Sequence, residues 1–169
     1  MATGFDAAVA NVLAVTLRDL ARDLGFTRII ELQQWESFSH GDWTVTLTPC
    51  KHWGARTLRD EHRGYGGFVL EYQGRSIYHA GDSAYFEGFK EIGRRLHPEI
   101  ALLPIGAYHP ESFRKVHMGP DQAVQAFHDL QSRWLVPMHH GLVDVVSLLP
   151  ASPYISTACG SADMYPDSA

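Results

Sequence analysis

Three apolar, strand-like runs in this sequence each end in a side chain that can bind a metal ion. They are residues 48–53 (Thr-Pro-Cys-Lys-His-Trp), 78–83 (Tyr-His-Ala-Gly-Asp-Ser) and 136–141 (Val-Pro-Met-His-His-Gly). Imidazole and carboxylate groups at the ends of strands suit Zn²⁺ or a similar borderline ion. The pattern therefore predicts a sheet whose strands deliver their ligands to one metal site.

Composition limits the classes of protein that the chain can belong to. The 169 residues, 45% of them apolar, are enough for one folded domain with its own core. A net charge of −5 argues against a protein that binds nucleic acid without regard to sequence, since such proteins carry a basic excess. A role in nucleic-acid processing stays open only as a minor alternative.

Cysteine usage and hydropathy indicate the compartment. The two cysteines, Cys50 and Cys159, form no disulfide framework, which fits a reducing cytoplasm. Cys50 is either a small hydrophobic residue or a further ligand, because it lies two residues before His52. The N-terminus lacks a basic leader and no apolar run approaches about 18 residues, so neither a signal peptide nor a transmembrane segment is expected.

Hydrophobic periodicity predicts an α/β fold. Apolar residues at helical spacing predict a first helix from about residue 6 to residue 24, capped by Asp6 and stopped by Gly25. Strands are predicted over residues 27–32, 43–48, 68–72, 76–79, 100–105 and 134–138, and further helices over 86–96 and 120–130. This order indicates a sandwich in which helices cover a mixed β-sheet.

The candidate ligands each have an ordinary structural alternative. Asp82 follows Gly81, which permits the tight turn that exposes a carboxylate, but an aspartate here can also cap a helix. His52 follows a threonine-rich strand and can be a simple polar strand end. Of the adjacent pair His139 and His140, one can point into a site while the other points away.

The order and spacing of these segments resemble the metallo-β-lactamase superfamily, and within it the branch that contains N-acyl-phosphatidylethanolamine phospholipase D. The resemblance runs from about residue 24 to residue 141. The segments that carry it are Thr-Pro-Cys-Lys-His-Trp-Gly-Ala-Arg (48–56), Gly-Gly-Phe (66–68), Ile-Tyr-His-Ala-Gly-Asp-Ser-Ala-Tyr (77–85), Leu-Pro-Ile-Gly-Ala-Tyr (103–108), Val-His-Met-Gly-Pro-Asp-Gln-Ala (116–123) and Pro-Met-His-His-Gly (137–141).

The resemblance implies a partial metallo-β-lactamase-like αββα sandwich and a metal-dependent hydrolase. It implies that His52 binds a first metal, that Asp82 bridges two metals and orients the nucleophile, and that His139 binds a second metal. His117 matches a histidine near the substrate phosphate or leaving group, where it can act as a general acid or stabilise an oxyanion. His140 matches no ligand position.

The same resemblance sets the expected cofactor and substrate. One or two ions of zinc, or of manganese or iron, are expected, unless the ligand set is incomplete and binds none. The expected substrate is a small-molecule or lipid-like compound with a phosphodiester, lactone or related ester bond.

One feature of the superfamily is missing from this sequence. Its His-x-His-x-Asp-His motif, which supplies four ligands, occurs nowhere in the chain. The sequence therefore predicts a single truncated domain, with an N-terminal helix (1–25), a family-like core (26–141) and a divergent tail (142–169). A shortened sandwich exposes an apolar sheet face, so a homo-oligomer is expected. The alternative to a hydrolase is a catalytically degenerate relative with an oligomeric or ligand-binding role.

Overall fold

A computed structural model of the chain describes residues 11–14, 16–52, 63–107 and 114–139. These residues contain eight strands and three helices. In chain order they are β1 (Asn11–Ala14), α1 (Arg18–Asp23), β2 (Ile29–Leu32), β3 (Ser37–His40), β4 (Trp43–Thr48), β5 (Gly67–Tyr72), β6 (Arg75–His79), α2 (Gly88–Leu96), β7 (Ile100–Pro104), α3 (Pro120–Leu130) and β8 (Trp134–Met138).

A six-stranded mixed sheet organises the molecule, with the strand order β3-β4-β5-β6-β7-β8. The strands from β3 to β6 pair antiparallel, whereas β6, β7 and β8 pair parallel and are connected through α2 and α3. Two antiparallel steps separate β4 from β6, so β4 runs in the same direction as β6, β7 and β8. The carboxyl ends of these four strands therefore lie along one edge of the sheet, where ligands of α/β proteins commonly bind.

Helices α2 and α3 cover one face of this sheet and form the main core with it. The fully buried side chains of the core include Val69, Tyr78, Phe89, Ile92, Leu103 and Leu130. Burying each such side chain stabilises the fold by roughly 1.5–3 kcal/mol before conformational entropy is counted. The rigid core fixes the strand ends that lead into the candidate site.

A second, smaller sheet lies on the opposite face. Strands β1 and β2 pair in parallel, from Asn11 with Ile29 to Ala14 with Leu32. Ala14 and Leu32 pack with Leu47 of the large sheet in a second buried cluster. The layers are thus a helix layer, a mixed sheet and a small second sheet, which confirms the predicted α/β class and the mixed sheet covered by helices.

Most predicted elements agree with the structure. The strands at Trp43–Thr48 and Trp134–Met138 and the helix at Pro120–Leu130 have the predicted bounds. The predicted hairpin around Gln73 and Gly74 is formed by β5 and β6. None of the helices in the described residues is long and apolar enough to cross a membrane.

The predicted N-terminal helix is wrong over residues 11–14, which form β1, and among its described residues only Arg18–Asp23 are helical. The periodicity assigned Leu20 and Leu24 to a buried stripe, but they are 45% and 77% exposed. Parallel pairing of β1 with β2 outweighs the helical spacing, because tertiary pairing overrides a weak local preference. The predicted cap Asp6 and the predicted tail 142–169 lie outside the described residues.

Strand β3 (Ser37–His40), which pairs with β4, was not predicted from the sequence. Its alternating serines gave no apolar run, but the serine hydroxyls bond across to threonines of β4, as Ser37 Oγ does to Thr46 Oγ1 at 2.8 Å. The available signal was Gly41-Asp42, a two-residue turn pair directly before a strand.

Candidate metal centre

Three chain segments meet at the carboxyl edge of the large sheet and bring together Asp82, His117 and His139. One ligand atom of each lies within 4.8 Å of the others. The Nδ1 atom of His139 is 3.6 Å from Oδ1 of Asp82. Ligands of one Zn²⁺ each lie about 2 Å from it and thus roughly 3–4 Å from one another, so small side-chain adjustments are enough for these three to hold one ion.

Asp82 is positioned by a tight turn and a hydrogen-bonded neighbour. Gly81, with a φ of 63°, turns the chain at the end of β6. The buried hydroxyl of Ser83 accepts a hydrogen bond from the Lys51 amide at 3.0 Å and donates one to the Ala84 carbonyl at 2.7 Å. The Ala84 amide in turn donates to the Lys51 carbonyl, which ties the loop after β4 to the loop after β6.

His139 directly follows β8 and has a left-handed backbone, with a φ of 53°. Non-glycine residues with such a backbone are uncommon and cluster at functional sites. The preceding residue is fixed, because the carbonyl of Met138 accepts a hydrogen bond from the Ile105 amide at 3.1 Å. The imidazole itself is half exposed, as is the carboxylate of Asp82, so one side of the cluster opens to solvent.

His117 lies in the segment between β7 and α3. The carbonyl of the next residue, Met118, accepts a hydrogen bond from the Ala107 amide at 3.3 Å, which holds this segment against the end of β7. Burial is the main cause that lowers the pKa of His117, and the neighbouring His52 lowers it further, while Asp82 opposes both effects. The imidazole of His117 is therefore held in the neutral form, which is the form that binds metals.

His52 lies next to this cluster rather than in it. Its ring centroid is 5.2 Å from that of His117 and 6.3 Å from that of Tyr65. Its Nδ1 is 3.1 Å from the Val116 carbonyl oxygen. Since a carbonyl only accepts, Nδ1 donates this hydrogen bond, which leaves a lone pair on Nε2.

The structure thus brings together two of the three residues predicted as metal ligands, Asp82 and His139, and adds His117 to them. His117 was predicted for catalysis rather than for the ligand set, and His52 is in the neighbouring position. His140 lies outside the described residues. Tyr65, which lies beside His52, was not predicted from the sequence, although the glycines around it (Gly-Tyr-Gly-Gly, 64–67) signal a close backbone approach.

Cys50 is half-buried in the same loop as His52. Burial raises the pKa of its thiol to about 12, and the carboxylate of Asp82 contributes to this increase. Only a thiolate is a good metal ligand, so a neutral Cys50 fits the interpretation as a small hydrophobic residue.

Two imidazoles and one carboxylate are a donor set found in catalytic zinc sites, where water takes the remaining position. The same set, arranged on one side of the metal, also suits non-haem iron. The half-exposed Asp82 and His139 leave room for that water and for a substrate. The residues of the cluster therefore fit a catalytic divalent metal ion.

Comparison with known proteins agrees with this chemistry. The sequence model of the beta-lactamase superfamily domain matches residues 3–140, so the match begins well before residue 24, where the resemblance between motifs begins. An N-acyl-phosphatidylethanolamine-hydrolyzing phospholipase D of Caenorhabditis elegans is 35% identical over 125 residues, which cover 69% of this chain and 35% of that relative. A metal-dependent hydrolase of Opitutus terrae is 40% identical over 99 residues, which cover 56% of this chain and 40% of that relative.

The fold is shared with solved structures of the same class. Igni18, a metallo hydrolase from Ignicoccus hospitalis, superposes with a TM-score of 0.62 at 22% identity, covering 88% of this chain and 60% of that chain. The chain spans well under half the length of the nematode and Opitutus relatives. The family match, these relatives and the shared fold together show that the chain belongs to the metallo-β-lactamase superfamily.

Proposed function

We propose that this chain is a metal-dependent hydrolase that acts on a phosphodiester, lactone or related ester bond of a small or lipid-like substrate. The observation that carries the proposal is the convergence of Asp82, His117 and His139 within 4.8 Å at the carboxyl edge of the sheet. Two imidazoles and a carboxylate there would hold one divalent ion, zinc or alternatively manganese or iron.

Each side chain has a distinct part in this proposal. A bound divalent ion would lower the pKa of a coordinated water and polarise the bond to be cleaved. His117, kept neutral by burial, and His139 would hold the ion, while the half-exposed carboxylate of Asp82 would also orient the attacking water. His52, fixed through Nδ1 by the Val116 carbonyl, would accept or return a proton at Nε2.

The number of ions separates this proposal from the family expectation. In that expectation His52 binds a first ion, His139 binds a second and Asp82 bridges them. The observed cluster of three supports one ion, with His52 as a proton carrier. One metal per chain would support the single-ion arrangement with His52 as a proton carrier. Two metals per chain would support the two-ion arrangement in which Asp82 is the bridge.

The relatives support the substrate class. The nematode relative is named for the hydrolysis of an N-acyl-phosphatidylethanolamine, a phosphodiester lipid, and the Opitutus relative for metal-dependent hydrolysis. A phosphodiester or ester with an apolar substituent is therefore the substrate class to test first.

Metal analysis combined with a hydrolysis panel tests the proposal. The purified chain, stripped with a chelator and reloaded with Zn²⁺, Mn²⁺ or Fe²⁺, is expected to retain one ion after gel filtration. It is expected to hydrolyse at least one of bis-p-nitrophenyl phosphate, p-nitrophenyl octanoate and an acyl homoserine lactone. Asp82→Asn and His139→Ala are expected to lose both metal and activity.

Matched controls keep the interpretation specific. His40→Ala and Asp23→Asn remove the same chemical groups from exposed positions elsewhere on the chain and are expected to change neither property. A chain that binds metal in full but cleaves no substrate of the panel would favour the degenerate, ligand-binding alternative. A chain that retains no metal at neutral pH would contradict the proposed metal centre itself.

A further inference from the structure

A buried serine hydroxyl lies between the two loops that carry His52 and Asp82. Ser83 follows Asp82 in the chain and is fully buried. Its Oγ accepts a hydrogen bond from the Lys51 amide at 3.0 Å and donates one to the Ala84 carbonyl at 2.7 Å. A hydroxyl in the interior destabilises a protein unless it is hydrogen-bonded in this way. The loop after β4 and the loop after β6 are thus joined through a side chain as well as through the backbone.

The hydroxyl takes the place of a direct backbone hydrogen bond. Lys51 and Ala84 form an isolated antiparallel bridge, in which the Ala84 amide donates to the Lys51 carbonyl at 2.8 Å. In a regular antiparallel pair that exchanges both hydrogen bonds, the Lys51 amide would donate directly to the Ala84 carbonyl. Here the Ser83 hydroxyl stands between these two groups, accepting from one and donating to the other. It therefore holds the two loops further apart than a direct hydrogen bond would.

The separation of the loops matters because of the residues next to this bridge. Lys51 directly precedes His52, and Ser83 directly follows Asp82. The ring of His52 lies beside the metal-binding cluster, where its Nδ1 donates a hydrogen bond to the Val116 carbonyl at 3.1 Å. A change in the separation of the two loops is therefore passed to this ring through a single peptide unit.

The metal-binding cluster has supports that do not involve this hydroxyl. Gly81 turns the chain with a φ of 63°, and its amide donates a hydrogen bond to Nδ1 of His79, the last residue of β6, at 3.1 Å. These contacts hold Asp82 from its other side. The two histidines of the cluster are held by backbone hydrogen bonds at the ends of β7 and β8. Loss of the serine hydroxyl is therefore expected to displace His52 before it displaces the cluster.

We propose that Ser83 is a positioning residue, whose hydroxyl holds His52 beside the metal centre as a proton carrier and outside the group that binds the ion. The assignment rests on the proposed hydrolase function and adds to it a residue that acts only through its neighbours. Without the hydroxyl, the Lys51 amide and the Ala84 carbonyl lose their shared partner. The two loops then close on each other or admit water, and in both cases His52 loses its fixed hydrogen bond at Nδ1.

The tautomer of His52 in the metal-free, full-length chain gives a readout that requires no turnover. Long-range ¹H–¹⁵N NMR distinguishes an imidazole with its proton on Nδ1 from one with its proton on Nε2. At about pH 8, above the pKa of an ordinary imidazole, the parent is expected to show the Nδ1–H tautomer, assigned by its absence from His52→Gln. In Ser83→Ala the Nε2–H tautomer is expected to appear beside it.

Metal content and steady-state kinetics form the second readout. With a substrate of the hydrolysis panel that the parent cleaves, zinc-loaded Ser83→Ala is expected to retain one ion per chain and to keep its KM. Its kcat is expected to fall at least about tenfold, because a positioned acid or base contributes about 10²–10⁴-fold and a displaced one loses part of this. Ser83→Thr, which keeps a hydroxyl at the same position, is expected to restore both kcat and the tautomer.

A second hydroxyl of the same loop provides the matched control. The hydroxyl of Tyr85 donates a hydrogen bond to Asp129 at 2.7 Å and accepts one from Gln125 at 2.8 Å, both on α3. Tyr85→Phe removes this hydroxyl two residues after Ser83 and is expected to change neither the tautomer of His52 nor kcat. If circular dichroism shows that Ser83→Ala does not fold, Ser83→Cys takes its place, because a thiol fills similar space but is a weak donor and acceptor.

The proposal is overturned if Ser83→Ala keeps the tautomer or the kcat of the parent. Loss of the ion from Ser83→Ala overturns it as well, since the hydroxyl would then support the ligand Asp82 rather than His52. An unchanged tautomer in a chain that binds metal and cleaves a substrate leaves the proposed function in place and rejects the role of Ser83. Conversely, a parent chain that cleaves nothing rejects the hydrolase, while a changed tautomer in Ser83→Ala still supports the positioning of His52.

Discussion

The backbone carbonyl of His139 lies directly against the Cα of Gly106, so that a Cβ at position 106 would overlap the carbonyl oxygen. Gly106 follows β7 and His139 follows the neighbouring parallel strand β8. The contact therefore fixes the position of the His139 backbone, from which the imidazole projects at the edge of the sheet. Glycine is required at position 106 because a Cβ there would collide with the backbone of His139, a candidate metal ligand that follows the adjacent strand.

We expect Gly106→Ala to weaken metal binding without unfolding the chain. The added methyl group pushes His139 away from Asp82 and His117. Loss of the contacts that orient a metal ligand typically lowers metal affinity by about 10–100-fold. Competition with a chromogenic zinc chelator measures the loss. Gly74→Ala, placed in the β5–β6 turn with nothing near the new methyl group, is the control and is expected to keep full affinity. Equal affinities for the two variants would show that the contact does not position His139.

The left-handed backbone of His139 leads to a second prediction. At a φ of 53° a residue with a Cβ is strained, by about 1–2 kcal/mol in this region. We therefore expect His139→Gly to be more stable than His139→Ala by about 1 kcal/mol, after the higher unfolded-state entropy of glycine is counted. Urea unfolding of the metal-free variants measures the difference.

The same pair of substitutions at a strand position provides the control for this prediction. At His40, in β3, glycine is expected to be the less stable of the two, because the backbone there is extended. If alanine is also the more stable residue at position 139, then the left-handed conformation is not retained in solution. Both variants at position 139 are expected to lose the metal.

Cys50 gives a prediction about chemical reactivity. The raised pKa of about 12, against an ordinary 9.0, lowers the thiolate fraction at pH 8 on the order of a thousandfold. In the Cys159→Ser chain without metal, alkylation by iodoacetamide is therefore expected to be far slower than that of free glutathione. Because the shift favours the protonated form, the rate is expected to rise about tenfold with each pH unit above 8.

The negative charge of Asp82 is the second cause, behind burial, of the raised pKa of Cys50. Asp82→Asn removes the negative charge that disfavours the thiolate, so this variant is expected to react faster than the parent at the same pH. Mass spectrometry of the alkylated peptide measures both rates. If Cys50 of the Cys159→Ser chain reacts faster than free glutathione, its thiol is not buried. If the chains with and without Asp82→Asn react at identical rates, the thiol of Cys50 does not lie close to Asp82.

Local sequence signals predicted most elements of the large sheet and its helices. The apolar alternation of β4, the proline that begins α3 and the compact run of β8 each carry information within a few residues. β1 was misassigned because its strand character depends on pairing with β2, about 18 residues away along the chain. No local pattern distinguishes such a segment from one side of a short helix.

The same limit applies to the candidate site. The sequence identified His52, Asp82, His117 and His139 as chemically important, because each follows a strand or precedes a helix in a recognisable motif. Which three of them converge depends on strand order and on the hydrogen bond that places Lys51 beside Ser83. These are long-range features, so His117 entered the ligand cluster only when the fold was known.

The crossing of α2 and α3 provides the last prediction. A Cβ on Gly93 would lie 2.6 Å from the Asp129 carbonyl oxygen and 2.7 Å from that of Leu130. Replacing glycine by alanine inside a helix ordinarily stabilises it by about 1 kcal/mol, but here the methyl group forces the two helices apart. Gly93→Ala is therefore expected to lower the free energy of unfolding by about 1–3 kcal/mol, as measured in urea.

Lys90→Ala, on the exposed side of α2, is the control for this variant and is expected to change the free energy of unfolding by less than about 0.5 kcal/mol. A more stable Gly93→Ala chain would show that the helices do not approach as closely as the structure indicates. Helices α2 and α3 pack on a face of the sheet, whereas Asp82 and His139 follow the carboxyl ends of its strands. The folded fraction of Gly93→Ala is therefore expected to bind metal with unchanged affinity. Loss of stability without loss of metal affinity would separate the support of the fold from the support of the site.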